Sequence, residues 1–385
     1  MKAIRVHKNG DAEVLKIEDI PKPTPKAHQA IIRVKAAGLN FIDIYMRKGD
    51  PIIPTPRKLY VAILIFVFCL SPLAASEKTR EERLKEESQN ILERSFRIAA
   101  QFYSLEDGEE CTEITDSILQ SNETKDSIKQ TIRTSGRRFF LFKYPSGGFR
   151  VKGYISFVPN ALENPLMIFL RGGTGIFGLT HPATDFTCVR NYTVIGTSYR
   201  GGVSEGSDEF GGNEVDDVHN LMEYFPALQE KLKIQFVTKK ILLLGASRGG
   251  MEMFLAMSRS PTLQYQVTKA ASLSGLFDMR ECMIDREDMR RMFIRDFGFI
   301  PGQNEEEWIH DRDPLASVPN LRKDLPILIL QGTDDLRSSL NQGYHMVKRL
   351  EDNGNPVTYL EIQGGNHCLG NQSNRMDIIA NWFEN

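Results

Sequence analysis

The chain has 385 residues, of which 41% are hydrophobic and 25% are charged, values that are ordinary for globular proteins. Lysine and arginine number 48 against 50 aspartate and glutamate residues, so the formal net charge is −2. This balance excludes the basic surface that is typical of nucleic-acid-binding proteins, and no nucleic-acid partner is expected. The length allows two domains, or one large domain with additions.

The first 50 residues contain short β-like runs, residues 2–6 and 30–34, which a proline-rich loop separates. Residues 51–76 are a proline-rich lead-in followed by an uncharged apolar run from Leu59 to Leu70 and a small-residue stretch. Two basic residues precede this run, which is the order found in secretory signals. Residues 59–75 reach only the lower limit of about 17 residues for a membrane anchor. We expect a secreted or membrane-anchored, extracytoplasmic protein if the segment is a signal, and a cytoplasmic one if it is a buried strand or helix.

Residues 77–136 are polar, with apolar side chains every three to four positions from Leu84 to Tyr103, which predicts a helical extension. From residue 137 to 385, apolar runs alternate with helical patterns, and the first two runs flank a Pro-Ser-Gly-Gly turn typical of a hairpin. This order predicts an α/β domain with a mostly parallel central sheet and helices on both faces. The expected strands are residues 139–144, 151–158, 166–170, 193–197, 241–244, 270–273, 327–330 and 358–362.

The strongest chemical signal is the stretch Gly245-Ala246-Ser247-Arg248-Gly249, which follows an apolar run and precedes a helical pattern. A G-x-S-x-G sequence between a strand and a helix is typical of a nucleophile elbow, which exposes the serine above the sheet. A serine hydroxyl is a weak nucleophile and needs an adjacent base. Ser247 is therefore the candidate nucleophile, and a glycine-rich turn without a catalytic role is the alternative.

The acid and the histidine of such a site should follow the serine in that order. Asp334 and Asp335 come shortly after the expected strand 327–330, and His367 lies in a glycine-rich loop near the end of the chain. The other histidines precede the acid or lie in helical patterns. No two histidines share a metal-ligand spacing, so no metal is expected.

The oxyanion hole of such a site needs backbone N–H donors. One should come from Arg248, directly after the nucleophile, and the other from Gly172 or Gly173 in the loop after the strand 166–170. Gly173, Gly175 and Gly178 also match the G-x-G-x-x-G pattern of dinucleotide-binding folds. The residues after Gly178 do not continue as a helix, so no nucleotide cofactor is expected.

Residues 137–385 resemble the catalytic domain of the prolyl oligopeptidase family, which are serine peptidases with the α/β-hydrolase fold. The resemblance is carried by residues 144–154, 198–202, 213–218, 245–250, 312–315 and 326–333. It implies a triad of Ser247, Asp335 and His367, with Asp334 as the fallback for the acid. The implied function is peptide-bond hydrolysis through an acyl-enzyme without a cofactor. A hydrolase of small carboxylic esters with the same triad and a non-catalytic binding protein of the same fold are the alternatives.

Two residues depart from the family pattern. Arg248 follows the nucleophile, where the family often has tyrosine, and Arg171 lies in the oxyanion loop. Both would place positive charge near Ser247, and we expect Arg171 to bind an acidic or free-carboxylate substrate. The alternative is that both arginines pair with nearby carboxylates.

The first 50 residues resemble the GroES-like start of the zinc-independent quinone oxidoreductases, in the medium-chain dehydrogenase/reductase family. The resemblance is carried by residues 1–4, 18–21 and 34–43 and stops near Asp50. It implies NAD(P)H-dependent quinone reduction as a further alternative function, although the nucleotide-binding domain of such an enzyme has no counterpart. We interpret the chain as a fusion of a truncated reductase-like leader with a hydrolase.

Overall fold

The computed structural model describes residues 2–6, 15–19, 79–105 and 108–385. Strands β1 (Lys2–Val6) and β2 (Leu15–Asp19) pair antiparallel, and they belong to a different compact unit from the one that begins at Lys78. The signal-like segment 59–75 lies outside the described residues, so secretion and anchoring stay predictions. Among the helices that the structure describes, none is both long and apolar enough to cross a membrane.

The larger unit is built on a nine-stranded sheet in the order β11-β10-β9-β8-β6-β7-β5-β4-β3. Neighbours from β11 to β7 run parallel, whereas β7-β5, β5-β4 and β4-β3 pair antiparallel. The α/β-hydrolase fold predicted from the alternation of strands and helices is therefore confirmed. The strands are β3 (Cys111–Glu113), β4 (Arg138–Ser146), β5 (Phe149–Phe157), β6 (Leu166–Leu170), β7 (Thr193–Thr197), β8 (Ile241–Ala246), β9 (Val267–Leu273), β10 (Ile327–Gly332) and β11 (Val357–Ile362).

Helices cover both faces of this sheet. Within β6, Leu166, Ile168 and Leu170 pack into one apolar cluster, while Met167 and Phe169 pack into another. This alternation follows from the period of two in a strand, and it explains why all five residues of β6 are buried. The helices are α1 (Arg80–Phe102), α2 (Thr115–Gln120), α3 (Asp126–Ser135), α4 (Asp216–Glu223), α5 (Phe225–Leu232), α6 (Arg248–Arg259), α7 (Pro261–Gln266), α8 (Met279–Asp285), α9 (Glu287–Asp296), α10 (Glu305–Arg312), α11 (Pro314–Ser317), α12 (Leu340–Asn353) and α13 (Arg375–Glu384).

The first cluster lies under α4, α5, α6 and α12, and the second lies under α1, α2, α3 and α13. Helix α1 begins with a capping box, in which the Thr79 side chain accepts from the Glu82 N–H and the Glu82 carboxylate accepts from the Thr79 N–H. Its buried positions are Ser95, Ile98 and Phe102, which follow the helical period. The segment predicted to be a helical extension is therefore part of the packed hydrolase unit.

One strand in that segment was not predicted from the sequence. Residues Cys111–Glu113 form β3, which pairs antiparallel with β4 at the edge of the large sheet. A three-residue strand has too few positions for a period of two to stand out. The helical prediction for residues 77–136 is wrong at this strand, and it holds for α1, α2 and α3.

Candidate active site

Ser247 occupies the sharp turn between β8 and α6. Its backbone has φ 56° and ψ −124°, a strained conformation for a residue with a side chain. A Cβ on Gly249 would lie 2.0 Å from the Leu170 oxygen, and one on Gly245 would lie 2.2 Å from the Gly249 oxygen. The two glycines of the G-x-S-x-G stretch are therefore sterically required, because they let the turn close against β6.

His367 and Asp335 meet Ser247 in an unbroken series of hydrogen bonds. The Nε2 atom of His367 lies 2.9 Å from the Ser247 Oγ. The Nδ1 atom of His367 lies 2.9 Å from both carboxylate oxygens of Asp335. The Asp335 side chain is 1% exposed and that of His367 is 19% exposed, so the histidine end of the series is the more open to solvent.

The neighbouring Asp334 is exposed and points elsewhere. Its carboxylate accepts from the Thr333 hydroxyl at 3.2 Å, and its backbone N–H donates to the Gly365 oxygen at 2.9 Å. The second of these bonds joins the loop after β10 to the loop that carries His367. The structure thus brings Asp335 into the site and leaves Asp334 at its edge.

The acid is held by its own loop as well as by the histidine. The Asp335 Oδ1 atom accepts from the Arg337 N–H at 2.8 Å and from the Ser338 N–H at 3.0 Å. Burial alone would raise the pKa of Asp335, but His367 and these two N–H groups lower it below its usual value. The carboxylate is therefore ionised at neutral pH.

The pKa of the His367 imidazole is shifted upward, in the opposite direction to that of Asp335. Burial lowers the pKa of His367, but its interactions with Cys368 and Asp335 outweigh burial and raise the pKa above its usual 6.5. A raised pKa makes the imidazole a stronger acceptor for the serine proton. The neutral form of His367 therefore becomes populated at higher pH than that of an ordinary histidine.

The loop that contains the predicted oxyanion donors lies directly against Ser247. A Cβ on Gly172 would lie 2.8 Å from the Ser247 Cβ and 3.3 Å from its Oγ. Arg248 is the first residue of α6, so its backbone N–H has no acceptor within the helix. Gly172, Gly173 and Arg248 are thus at the edge of the site where the oxyanion donors were predicted.

The prediction that Arg171 binds an anionic substrate is contradicted by its surroundings. The Arg171 side chain is 1% exposed, and its guanidinium donates to the backbone oxygens of Gly172, Gly175, Phe177 and Ser198. A charge enclosed in this way presents no donor to a ligand. The donors of the guanidinium are already bonded to backbone oxygens, and no sequence pattern identifies such oxygens as partners of an arginine.

Arg248 is also enclosed, and here the alternative of pairing with nearby carboxylates holds. Its guanidinium contacts the carboxylates of Asp208 at 2.8 Å, Glu252 at 2.8 Å and Glu214, while its side chain is 2% exposed. Burial raises the pKa of Glu252 to about 8, although Arg248 acts to lower it. Sequence reasoning missed these acids because two of them lie more than thirty positions before Arg248 in the chain.

Helix α1 contacts both loops that border the site. Arg80 donates to the Leu336 oxygen at 2.8 Å and 3.2 Å, and Ser88 accepts from Arg337 at 2.9 Å, next to the acid. At the other loop, the Gly178 N–H donates to the Ser95 hydroxyl at 3.1 Å. A serine within an apolar helical face was the sequence signal that could have indicated this contact.

One group of side chains in the described part of the chain has the composition of a metal site. Asp278, Glu281 and His345 offer ligand atoms within 4.8 Å of one another at the protein surface. The His345 Nδ1 is already paired with Asp278 at 2.9 Å.

The loop of residues 171–178, which contains the G-x-G-x-x-G pattern, leads into turns rather than into a helix. It therefore lacks the helix N-terminus that a dinucleotide needs.

Comparison with known proteins agrees with this architecture. The model of the "Prolyl oligopeptidase family" matches residues 183–385. The "Uncharacterized peptidase YtmA" of Bacillus subtilis is 26% identical over 252 residues, covering 64% of this chain and 94% of that protein. The acylamino-acid-releasing enzyme of Rattus norvegicus is 24% identical over 241 residues, covering 58% of this chain but only 31% of that enzyme.

Solved structures show the same fold. The Pyrococcus horikoshii acylaminoacyl peptidase superposes with a TM-score of 0.52 at 19% identity, over 63% of this chain and 40% of that one. An acylaminoacyl peptidase in complex with Z-Gly-Gly-Phe-chloromethyl ketone gives a TM-score of 0.53 at 18% identity, over 64% and 41% of the two chains.

A short match of a different kind also exists. The quinone oxidoreductase of Lama guanicoe is 44% identical over 70 residues, which cover 17% of this chain and 21% of that enzyme. A partial match of this length does not establish a fusion. The family match spans more than half of the chain and the fold agrees with it, so this protein belongs to the prolyl oligopeptidase family and is a serine hydrolase.

Proposed function

We propose that this protein hydrolyses peptide bonds with Ser247 as nucleophile, His367 as general acid and base, and Asp335 as the residue that orients the imidazole. The observation that carries the proposal is the unbroken series of 2.9 Å contacts from Asp335 through His367 to Ser247. This geometry satisfies the requirement that nucleophile and base lie within hydrogen-bonding reach.

In the proposed reaction, the Ser247 oxygen attacks the substrate carbonyl while the His367 Nε2 accepts the serine proton. The N–H groups of Arg248 and of the Gly172–Gly173 stretch stabilise the oxyanion. The imidazolium then returns its proton to the leaving amine, which leaves an acyl group on Ser247. Water then attacks the acyl carbonyl while His367 accepts its proton. The bond to the Ser247 oxygen breaks, the acid is released, and the imidazolium returns the proton to Ser247. Asp335 stays ionised and holds the proton on Nδ1 throughout.

We further propose short, N-acylated peptides as the substrate class. Several similar proteins carry the name acylamino-acid-releasing enzyme or acylaminoacyl peptidase, although this chain spans only about a third of the curated ones. Helix α1 supports a preference for short substrates, since its contacts with the loops at Leu336 and Gly178 place it alongside the site. An N-acylated dipeptide therefore serves as the first test substrate.

A fluorophosphonate probe tests the nucleophile, with the modified peptide identified by mass spectrometry. We expect labelling at Ser247 that is lost in Ser247→Ala and in His367→Ala. His345→Ala is the matched control, because His345 is likewise paired with an aspartate at 2.9 Å. Failure to label the folded wild-type protein would refute the proposal and favour the non-catalytic alternative.

A matched amide and ester pair separates the two hydrolase alternatives. The probes are the p-nitroanilide and the p-nitrophenyl ester of the same N-acetyl amino acid, together with the N-acetylated dipeptide. Turnover of the amide and release of the N-acetyl amino acid support the peptidase. Hydrolysis of the ester alone, with no amide turnover at high enzyme concentration, would assign a carboxylic-ester hydrolase instead.

A further inference from the structure

The loop from Arg171 to Gly178, here called the glycine loop, is held by hydrogen bonds from the side chain of its first residue, Arg171. The Arg171 guanidinium donates to the Gly172 oxygen at 3.0 Å, the Gly175 oxygen at 2.7 Å and the Phe177 oxygen at 3.2 Å. It also donates to the Ser198 oxygen at 2.8 Å, beyond the end of β7. One side chain thus sets the direction of three carbonyls within the glycine loop.

The residue after the nucleophile holds the same loop from the other side. The Arg248 Nη1 donates to the Gly173 oxygen at 2.9 Å and to the Asp208 carboxylate at 2.8 Å. That carboxylate in turn accepts from the Gly175 N–H at 2.9 Å. Arg248 therefore connects the turn that presents Ser247 to the loop that faces it.

These contacts determine where the N–H groups of the loop point. In a planar trans peptide, the C=O of one residue and the N–H of the next point in opposite directions. Because the Gly172 oxygen faces the Arg171 guanidinium, the Gly173 N–H must face away from it. The Gly173 oxygen, held by Arg248, sets the Thr174 N–H in the same way. The loop passes so close to Ser247 that a Cβ on Gly172 would contact it.

Burying two guanidinium groups has a large unfavourable desolvation free energy, because each charge must be removed from water. Both are 2% exposed or less, although a small apolar residue at either position would avoid that desolvation. Both donate to carbonyl oxygens of the same eight-residue loop beside Ser247. An oxyanion hole gains most from donors that are oriented before the reaction begins.

We propose that Arg171 and Arg248 are positioning residues, which together orient the backbone N–H donors of the glycine loop for oxyanion stabilisation. The inference rests on the proposed function, because it assigns these residues a part in the reaction at Ser247. It replaces substrate-charge recognition, which the burial of both guanidinium groups contradicts.

The test is Arg171→Lys, compared with Arg137→Lys as the matched control. Arg137 is also 1% exposed, and it donates to the backbone oxygens of Thr187, Arg190 and Tyr192 rather than to the glycine loop. Lysine keeps the positive charge but lacks the planar fork that reaches several carbonyls. We expect kcat to fall about 100-fold in Arg171→Lys, which is the loss associated with one oxyanion donor, while KM changes less than threefold.

Two further readouts separate positioning from a general loss of stability. The affinity for a peptide boronic acid, whose serine adduct carries the tetrahedral negative charge, should fall in parallel with kcat. The apparent pKa of the kcat/KM profile should stay the same, because the contact between His367 and Asp335 is untouched. Arg137→Lys should retain kcat and boronate affinity even where its urea midpoint falls as far.

The proposal is overturned if a folded Arg171→Lys variant keeps kcat within threefold of wild type, or if Arg137→Lys loses as much. Should Arg171→Lys fail to fold, Arg248→Lys is judged by the same thresholds. Failure of the proposed function itself is distinguishable, because it would appear as an unlabelled Ser247 in the wild-type protein.

Discussion

Replacing Asp335 with asparagine should remove most of the activity by reversing the histidine tautomer. The Asp335 Oδ1 accepts from the N–H groups of Arg337 and Ser338, at 2.8 Å and 3.0 Å. An asparagine will keep its oxygen on these two donors, so its NH₂ group takes the place of Oδ2, which lies 2.9 Å from the His367 Nδ1. The His367 Nδ1 must then accept a hydrogen bond from that NH₂ group, so the ring proton moves to Nε2. A protonated Nε2 can no longer receive the proton of Ser247.

The expected loss is about 10⁴-fold in kcat, which corresponds to about 5 kcal/mol of transition-state stabilisation. It should be measured as kcat on the N-acetylated p-nitroanilide, with the rate of fluorophosphonate labelling as a second readout. The matched control is Asp334→Asn, which removes the exposed neighbouring carboxylate and should change kcat less than threefold. Retention of more than a tenth of the activity in Asp335→Asn, or an equal loss in Asp334→Asn, would refute the reasoning.

Three other predictions follow from the backbone and the buried charges. The kcat/KM profile should rise with pH through an apparent pKa above 6.5. Only neutral His367 accepts the serine proton, and Asp335 helps to raise the pKa of His367. An acid limb with an apparent pKa at or below 6.5 would contradict this. The pKa of Glu252 is about 8 in the folded protein, against 4.5 for an ordinary glutamate. Between these pH values the folded state holds a proton that the unfolded state has lost. The free energy of unfolding should therefore fall as pH rises from 5 to 8. Glu252→Gln should flatten that slope in urea titrations, and an unchanged slope would exclude Glu252 as its source. Finally, Ser247→Gly should be about 1 kcal/mol more stable than Ser247→Ala, because φ is 56° at this position; equal urea midpoints would show that the turn is not strained.

The sequence by itself predicted the strands of the large sheet other than β3, because that information lies in neighbouring residues. The apolar runs predicted β6 and β7 with the bounds that the structure has, since buried parallel strands are continuous in their hydrophobicity. The position of Ser247 between β8 and α6 also followed from local pattern, because glycines are needed where the turn closes against β6. Chain order, together with the helical pattern around His345, then selected His367. Asp334 and Asp335 were left as candidate acids, which the family resemblance ranked.

Only the tertiary structure decided what the two arginines do. Arg171 and Arg248 suggested an anion-binding surface, because a sequence records charge but not burial. In the fold, the partner of Arg171 at Ser198 lies 27 positions away, and the partner of Arg248 at Asp208 lies 40 positions away. The contact of α1 with the loop after Asp335 likewise joins residues more than 240 positions apart. Such partners are chosen by how the layers pack, and a buried charge must bond with whatever groups that packing brings to it.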